Sequence, residues 1–480
     1  MIIYLIIVPI IAGSVSIIFR NSRKLSISLL FLSLGTCGIF IPFLIGKEIN
    51  YSLGNWGNLG ISIGYDSLTL PFMLASLTII GAVALNSLKK HYGGLFYGLL
   101  TLLYGSLNAV YVSRDLFNIY VTFELVSIIG FLLIAYQRKS KQIWASLKYM
   151  IIASMGFYVY LIAIGLVYYQ TGSFAFESLN EVGSLIPALI FIGLSVKSGL
   201  FFVSMWLPDA HAGAPTEISP ILSGIMVKVE DYLIIRFLLY DSFYWLSNVY
   251  LVIGSISAVI AVIFAMNTKK AKSILAYHTL SQVGFIVAAS NIAGAWHGFS
   301  HAVFKGLLFM VVGNIYERLG TQDISKWKGK LLKKEYIPLF VGALAISGAP
   351  LTSGFVTKGG ILDSVPYFSD VLLIAASIGT VMSFSKFVFL GYNKQKSKQS
   401  WNVTAAYWIL ISIIFFHGIV GFDFHHFIEA IIIIALGVFA YFVFRSSFKP
   451  LPRLLERLDN ALGIYFAFIA IILTYLFFLP

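Results

Sequence analysis

Four lysines interrupt runs of apolar residues: Lys197 in SVKSGLFF, Lys228 in GIMVKVEDY, Lys305 in HAVFKGLLFM and Lys358 in GFVTKGG. Three acids stand in the same kind of surroundings, Glu124 in YVTFELV and the neighbours Glu230 and Asp231. Near the centre of a bilayer an ionisable side chain costs at least ~2.5 to 3.5 kcal/mol, so such a group is a functional candidate by default. The chemistry these groups offer is proton transfer, because a lysine whose acidic neighbour approaches or recedes holds or releases its proton accordingly. Glu124 is the acid buried in its own segment and the expected partner of Lys197, with a static helix-pinning ion pair as the structural alternative. Lys228 and Asp231 lie three residues apart and share a helix face, while Glu230 points elsewhere. Either these acids neutralise Lys228 internally or they are further proton sites.

His297, His301 and Lys305 recur at steps of four, which puts them on one stripe of a helix. Histidines at that spacing can hold zinc, but neither an HExxH glutamate nor a third ligand accompanies them, so a proton wire fits better. Upstream, AYHTLSQVGF supplies Tyr277, His278, Ser281 and Gln282, side chains able to hold water between charged stations. Lys358 follows ISGAPLTSGF, where Gly348, Pro350 and Gly354 break the helix, and Pro208 and Pro215 are the expected breakers after Lys197. Backbone opened at membrane depth is tolerated where it lines protein or water. Other charges have plainer readings. Lys148, Arg236 and Lys386 are near enough to segment ends to snorkel, and His417, His425 and His426 read as interfacial.

These residues need helices that cross a bilayer to position them. The chain is 59% hydrophobic and 11% charged, far from a soluble domain, where about a quarter of residues are charged. Cutting at polar turns gives sixteen apolar segments near the ~20 residues that span a hydrocarbon core. The expected fold is therefore an all-α polytopic membrane protein with about sixteen (fourteen to sixteen) transmembrane helices, since open strands cannot satisfy their backbone in lipid. The key residues fall in segments 5 (115–136), 7 (184–207), 8 (217–240), 10 (271–290), 11 (296–317) and 12 (336–363).

A net charge of +13 raises nucleic acid as a partner, but most of the 33 lysines and arginines map to loops after odd-numbered segments, whereas the opposite loops hold Lys47 and Arg114. The positive-inside rule then makes the first set cytoplasmic, both termini outside and the location the cell membrane. The apolar start without a basic leader reads as a first helix and not a signal peptide. Cys37 stands alone, and one thiolate cannot hold an iron–sulfur cluster, so no redox, catalytic or metal centre is expected in this chain. VKSGL at 196–200 and TKGGI at 357–361 hint at an internal repeat carrying an embedded lysine in each copy. The division expected is helices 1–4 over 1–112, a first repeat over 94–240, a second over 246–391, and C-terminal helices with a short interfacial linker over 403–480. Five helices apiece would make the repeats inverted.

From about Asp115 to Asp363 the chain resembles the antiporter-like subunits shared by respiratory complex I, energy-converting membrane-bound hydrogenases and related reductases, and Mrp-type sodium/proton antiporters. The pieces that carry the resemblance are DLFNIYVTFE, SVKSGLFF, WLPDAHAGAPTEISPILSG with the following MVKV, KSILAYHTLSQVGF, HAVFKGLLFM and SGAPLTSGFVTKGG. It implies two inverted five-helix repeats with helices broken at segments 7 and 12. It also implies Glu124 as the acid that modulates the first lysine, Lys197 as central proton carrier, Lys228 and Lys305 as relays, and Lys358 as the exit station. His278, Ser281, His297, His301, Glu230 and Asp231 would support the relay.

The function so implied is translocation of protons, with sodium as the alternative ion, by one subunit of a redox-driven membrane complex. Its partners would be other antiporter-like subunits and a hydrophilic redox arm, with iron–sulfur clusters or nickel–iron in those partners alone. The rivals are an Mrp-type antiporter subunit without a redox partner, a stand-alone solute carrier, and a scaffold whose charges only fix helix register. Two features depart from the family pattern: the acidic pair Glu230 and Asp231, and two further segments joined by KPLPRLLERLDNALG, within which Leu451 to Leu462 is expected as a short interfacial helix.

Overall fold

The computed structural model describes residues 1–54, 60–393, 400–452 and 454–477. The lysine-rich loop at 394–399 and the end of the last apolar segment lie outside the described residues. Each of the sixteen segments is occupied by helix. The chain opens with α1 (Ile2–Ile18) and α2 (Arg23–Phe40), followed by α3 (Thr69–Ser87), α4 (Gly94–Val112), α5 (Leu116–Ile134) and α6 (Ser140–Thr171). Segment 7 is helical in its first half, α7 (Leu185–Ser195), and its last residue opens α8 (Leu207–Gly213), which runs on toward segment 8; that segment divides into α9 (Ile218–Ile221) and α10 (Lys228–Phe237), with one π-helical turn at Leu222–Met226 between them. Then come α11 (Tyr244–Met266), α12 (Ala271–Ala289) and α13 (Ile292–Leu319). Segment 12 divides into α14 (Lys333–Ser347) and α15 (Ser353–Leu362), and α16 (Tyr367–Val388), α17 (Trp401–Val420), α18 (Phe427–Phe444) and α19 (Leu458–Phe477) complete the bundle.

Among the described residues, eleven helices are long and apolar enough to cross a membrane, which makes this a multi-pass membrane protein. The helix α13 is buried along nearly its whole length and packs on α3, α12, α14, α15 and α17, whereas α18 and α19 are mostly on the surface. Large apolar side chains such as Tyr158, Ile162, Phe416 and Phe439 cover that surface, as the low polarity of lipid requires.

The expected break in segment 7 does not fall at its prolines. It begins right after Ser195, with Gly199 at φ +84, and Pro208 instead sits in the first turn of α8, where its missing N–H is no loss. Pro215 lies in the turn between α8 and α9. Side chains satisfy the opened backbone: Ser204 Oγ and Trp206 Nε1 each donate to the Val196 carbonyl at 3.0 Å, and Ser198 Oγ donates to that of Ser195 at 2.8 Å. In segment 12 the break falls where the sequence places it. Gly348 takes φ +77 and closes α14, while Gly354 lies so close to the Ala345 carbonyl that an added Cβ would overlap its oxygen. Lys197 thus follows its first half-helix directly, whereas Lys358 sits inside the second half-helix of its segment, so the two matching pentapeptides differ in local structure.

Two expectations are corrected. The chain is not wholly α: β1 (Ile49–Leu53) and β2 (Ile61–Tyr65) pair as an antiparallel hairpin between α2 and α3. Its strands belong to a loop, where a two-stranded edge does not face lipid. The linker before α19 is not a separate interfacial helix either. Its described residues hold a short 3-10 turn, Leu454–Glu456, and buried Glu456 accepts a hydrogen bond from Tyr277 of α12.

Candidate functional site

The break after α7 turns Lys197 toward α5 and α10. Its Nζ donates to Ser127 Oγ at 2.5 Å and stands 3.7 Å from Glu230 Oε1. The rings of Phe123 and Phe157 lie 3.7 and 4.3 Å from the same nitrogen, close enough for cation–π attraction. A cavity of about 10 Å³ beside it, lined by Tyr149, Trp206 and Glu230 among others, has room for about one water. The sequence-based pairing of Lys197 with Glu124 is therefore corrected, since Glu230 is the acid at ion-pair distance. Glu124 is half-buried on the same helix as Ser127, and its Oε2 has no hydrogen-bond partner among the described residues. Ser127 escaped the sequence reading, although its spacing of three from Glu124 puts both on one face of α5.

Lys228 opens α10 immediately after the π turn and pairs with Asp231 Oδ2 at 2.7 Å, both groups sealed from solvent. Neighbouring residues on a helix diverge, so Asp231 serves Lys228 while Glu230 serves Lys197. Two lysines from different segments are thereby joined through one peptide unit of α10. That helix is anchored at its far end. Arg236 forks onto Asp66, just past β2, at 2.5 and 2.7 Å, and Arg114 reaches both Asp66 at 3.3 Å and the Tyr232 hydroxyl at 3.0 Å. Burial alone would raise the Asp66 carboxyl, but the Arg236 fork and the charge of Arg114 hold it well below the usual carboxylate range. Arg236 is thus held by an ion pair instead of snorkelling. Lys148 likewise pairs with Asp209 at 2.9 Å, and Lys386 donates to carbonyls at the end of α11.

From Lys228 the polar seam continues into α13. The lysine stem passes Gly298, where an added Cβ would lie 3.6 Å from Lys228 Cδ, between His297 and His301 on that helix. His297 bonds Thr357 through Nδ1 at 2.8 Å and Gln282 through Nε2 at 3.2 Å, linking α12, α13 and the residue before Lys358. Among the described residues, His301 and His278 find no partner for either ring nitrogen, and the Ser281 hydroxyl is also unpaired. Lys305 donates to the Leu275 carbonyl and lies over the Phe309 ring, on which His211 stacks. Lys358 Nζ is buried, likewise without a hydrogen-bond partner there, 5.1 Å from the Phe285 ring centroid. Buried polar atoms are normally paired, so this run of unpaired ones marks a chain with spare hydrogen-bonding capacity. The structure thus brings Lys197 and Lys228 together on the neighbouring acids Glu230 and Asp231 and links His297 to Gln282 and to the residue before Lys358, with Glu124 outside ion-pair distance of Lys197.

A second cluster, on the side of the lysine-rich loops, was not foreseen. Lys90 bridges Glu217 and Glu317, Tyr92 donates to Glu217, and Lys272 donates to Ala214 O at 2.9 Å and Ser219 Oγ at 3.2 Å. Lys272 and Glu317 line a basic vestibule of about 940 Å³. The signal was present in GAPTEISP, whose Glu217 is fully buried, but a proline-rich turn disguises it as a surface residue. Of the three outer histidines, His417, in the last turn of α17, is half-buried and lies 3.2 Å from the Ser300 hydroxyl of α13.

The model of the NADH:quinone oxidoreductase/Mrp antiporter transmembrane family matches residues 113–383. The D subunit of the Na(+)/H(+) antiporter of Alkalihalophilus pseudofirmus is 27% identical over 436 residues, covering 82% of this chain and 87% of that protein. The N subunit of the NADH-quinone oxidoreductase of Desulforudis audaxviator is 29% identical over 420 residues, covering 79% and 82%. Among solved structures, a chain of the Mrp complex from Dietzia sp. superposes with a TM-score of 0.80 at 19% identity, over 96% of this chain and 98% of that one. A chain of an archaeal membrane-bound sulfane sulfur reductase does so with 0.72 at 22% identity, over 98% and 99%. These two likenesses establish a shared fold.

Proposed function

This antiporter-like membrane subunit belongs to the NADH:quinone oxidoreductase/Mrp antiporter family, and from that premise we propose that it moves protons along its buried series as part of a redox-driven membrane complex. The observation that carries the reading is the pair of adjacent acids in α10, each holding a different buried lysine. Lys197 keeps its proton while Glu230 faces it. When that pair loosens, under the influence of Glu124, the proton passes toward Lys228, then along the His297, His301 and Lys305 stripe with His278 and Ser281 beside it, and leaves at Lys358. Each transfer breaks one N–H or O–H bond and forms another, so a single proton advances and no electron moves. Sodium is the alternative ion.

The finer architecture belongs to the same reading. Adding α1, α12 and the three divided segments to the eleven long apolar helices gives sixteen crossings. We read them as two inverted repeats over 94–240 and 246–391, with the lysine-rich loops cytoplasmic and both termini outside. The partners would be sister membrane subunits and a hydrophilic arm carrying any iron–sulfur or nickel–iron centres.

Proton pumping by complexes with Lys197→Ala or Lys358→Ala, reconstituted in vesicles, tests the proposal. Loss of pumping with intact assembly is expected, and unchanged pumping would overturn it. The likeness to a Na(+)/H(+) antiporter protein supports a second reading, an ion antiporter without a redox partner. Purification separates the two, because only the first brings down redox subunits.

A further inference from the structure

The proton that reaches Lys358 needs a way out, and the space beyond Lys358 is occupied by α18. This helix is otherwise turned to the surface, with Ile433 and Gly437 as its buried residues. Its N-terminal end is different. Lys358 and Gly348 share a cavity of about 30 Å³ with His426 and Glu429, space for about two waters. His426 Nε2 lies 2.9 Å from Asp363 Oδ2, and Nδ1 lies 3.5 Å from Glu429 Oε2. Exposure rises along this set: Lys358 is 5% exposed, the His426 side chain 12%, and those of Glu429 and Asp363 38% and 59%. The ring also sits directly on the backbone beside Lys358. A Cβ added at Gly359 would come within 2.5 Å of His426 Cδ2, whereas one added at Gly360 meets nothing nearer than 3.7 Å.

We propose that His426, held between Asp363 and Glu429, is the outward release station of the pathway, taking protons from Lys358 across their shared cavity and passing them to bulk water. This rests on the function proposed above. The Lys358 N–H bond breaks and an N–H bond forms on the imidazole. The proton on the other ring nitrogen then passes to the Asp363 or Glu429 carboxylate and on to water, leaving Lys358 as a neutral amine ready for the next proton from α13. Imidazole suits the step because it binds a proton at either nitrogen and titrates near neutrality. The two carboxylates give the departing proton a landing point that is already wet.

The test uses the intact complex in oriented vesicles, comparing wild type with His426→Ala, His426→Gln, His425→Ala and Lys358→Ala. His426→Ala and His426→Gln should slow translocation about a hundredfold, the low end for a lost acid–base group, while His425→Ala stays near wild type. Imidazole added on the outward side should restore much of the rate of His426→Ala. If His426→Ala pumps normally while Lys358→Ala does not, the release station is wrong and the proposed function stands. If both pump normally, the proposed function itself fails. A slowed His426→Ala that imidazole leaves unrelieved overturns the shuttle and assigns the histidine a packing role.

Discussion

Glu230 has two tasks, and a second substitution at Lys197 separates them. As a buried carboxylate it neutralises Lys197, and removing one member of such a pair strands the other at a cost of roughly 3–5 kcal/mol. Glu230→Gln should therefore lower the thermal unfolding temperature of the purified protein and stop translocation. Glu230→Gln combined with Lys197→Met should recover the stability and leave translocation dead, and recovery of both would sink the assigned role. The lysines were legible in the sequence because each interrupts an apolar run. Their partners were not. The choice between Glu124 and Glu230 depends on how α10 is rotated, and the π turn that sets this rotation adds a residue which no periodicity announces. Glu217 was missed for a related reason, since only tertiary packing buries a turn residue so completely.

Helices and hairpin are held together by a few charged contacts whose behaviour with pH follows from their geometry. The Asp66 carboxyl is depressed in the folded protein, so its contribution to stability is fully present above the ordinary aspartate value of about 3.9 and disappears as pH falls through the folded value. Thermal unfolding followed from pH 7 down to about 4 should show no loss from this clamp, with decline only in stronger acid. Asp66→Asn should remove the contribution at every pH by leaving Arg236 and Arg114 without their carboxylate. At the second break, Gly354→Ala should prevent assembly because its Cβ would overlap the Ala345 carbonyl, while Gly360→Ala should be tolerated. Expression in membranes and gel filtration in detergent would distinguish them. The broken helix of segment 12 was readable from Gly348, Pro350 and Gly354. That of segment 7 was displaced from its prolines, because Gly199 and the hydroxyls of Ser198 and Ser204 do the work there instead. The hairpin went unseen because its two short strands stand between two much stronger apolar signals.

Across the molecule, burial is graded from α13 outward to α18 and α19. Amide hydrogen exchange in lipid nanodiscs should accordingly be slowest in α13 and α4 and fastest in α18 and α19, tracking local opening. Uniform protection would mean that the outer helices are locked by contacts other than those described. The polytopic class and the places of the eleven long apolar helices among the described residues could be read from composition and spacing, since lipid leaves few alternatives to a helix of about twenty residues. How the segments pack could not, because every face of a membrane helix is apolar and periodicity loses its meaning.

Glu230 and Asp231 are consecutive in the chain, so a rotation of the α10 backbone at that point displaces both. A twist of that one turn is felt simultaneously by two ammonium groups on separate segments, the way a single camshaft lobe pair times two valves. Loading on one side of α10 and unloading on the other would then keep the same beat, set by the mechanics of a single stretch of backbone.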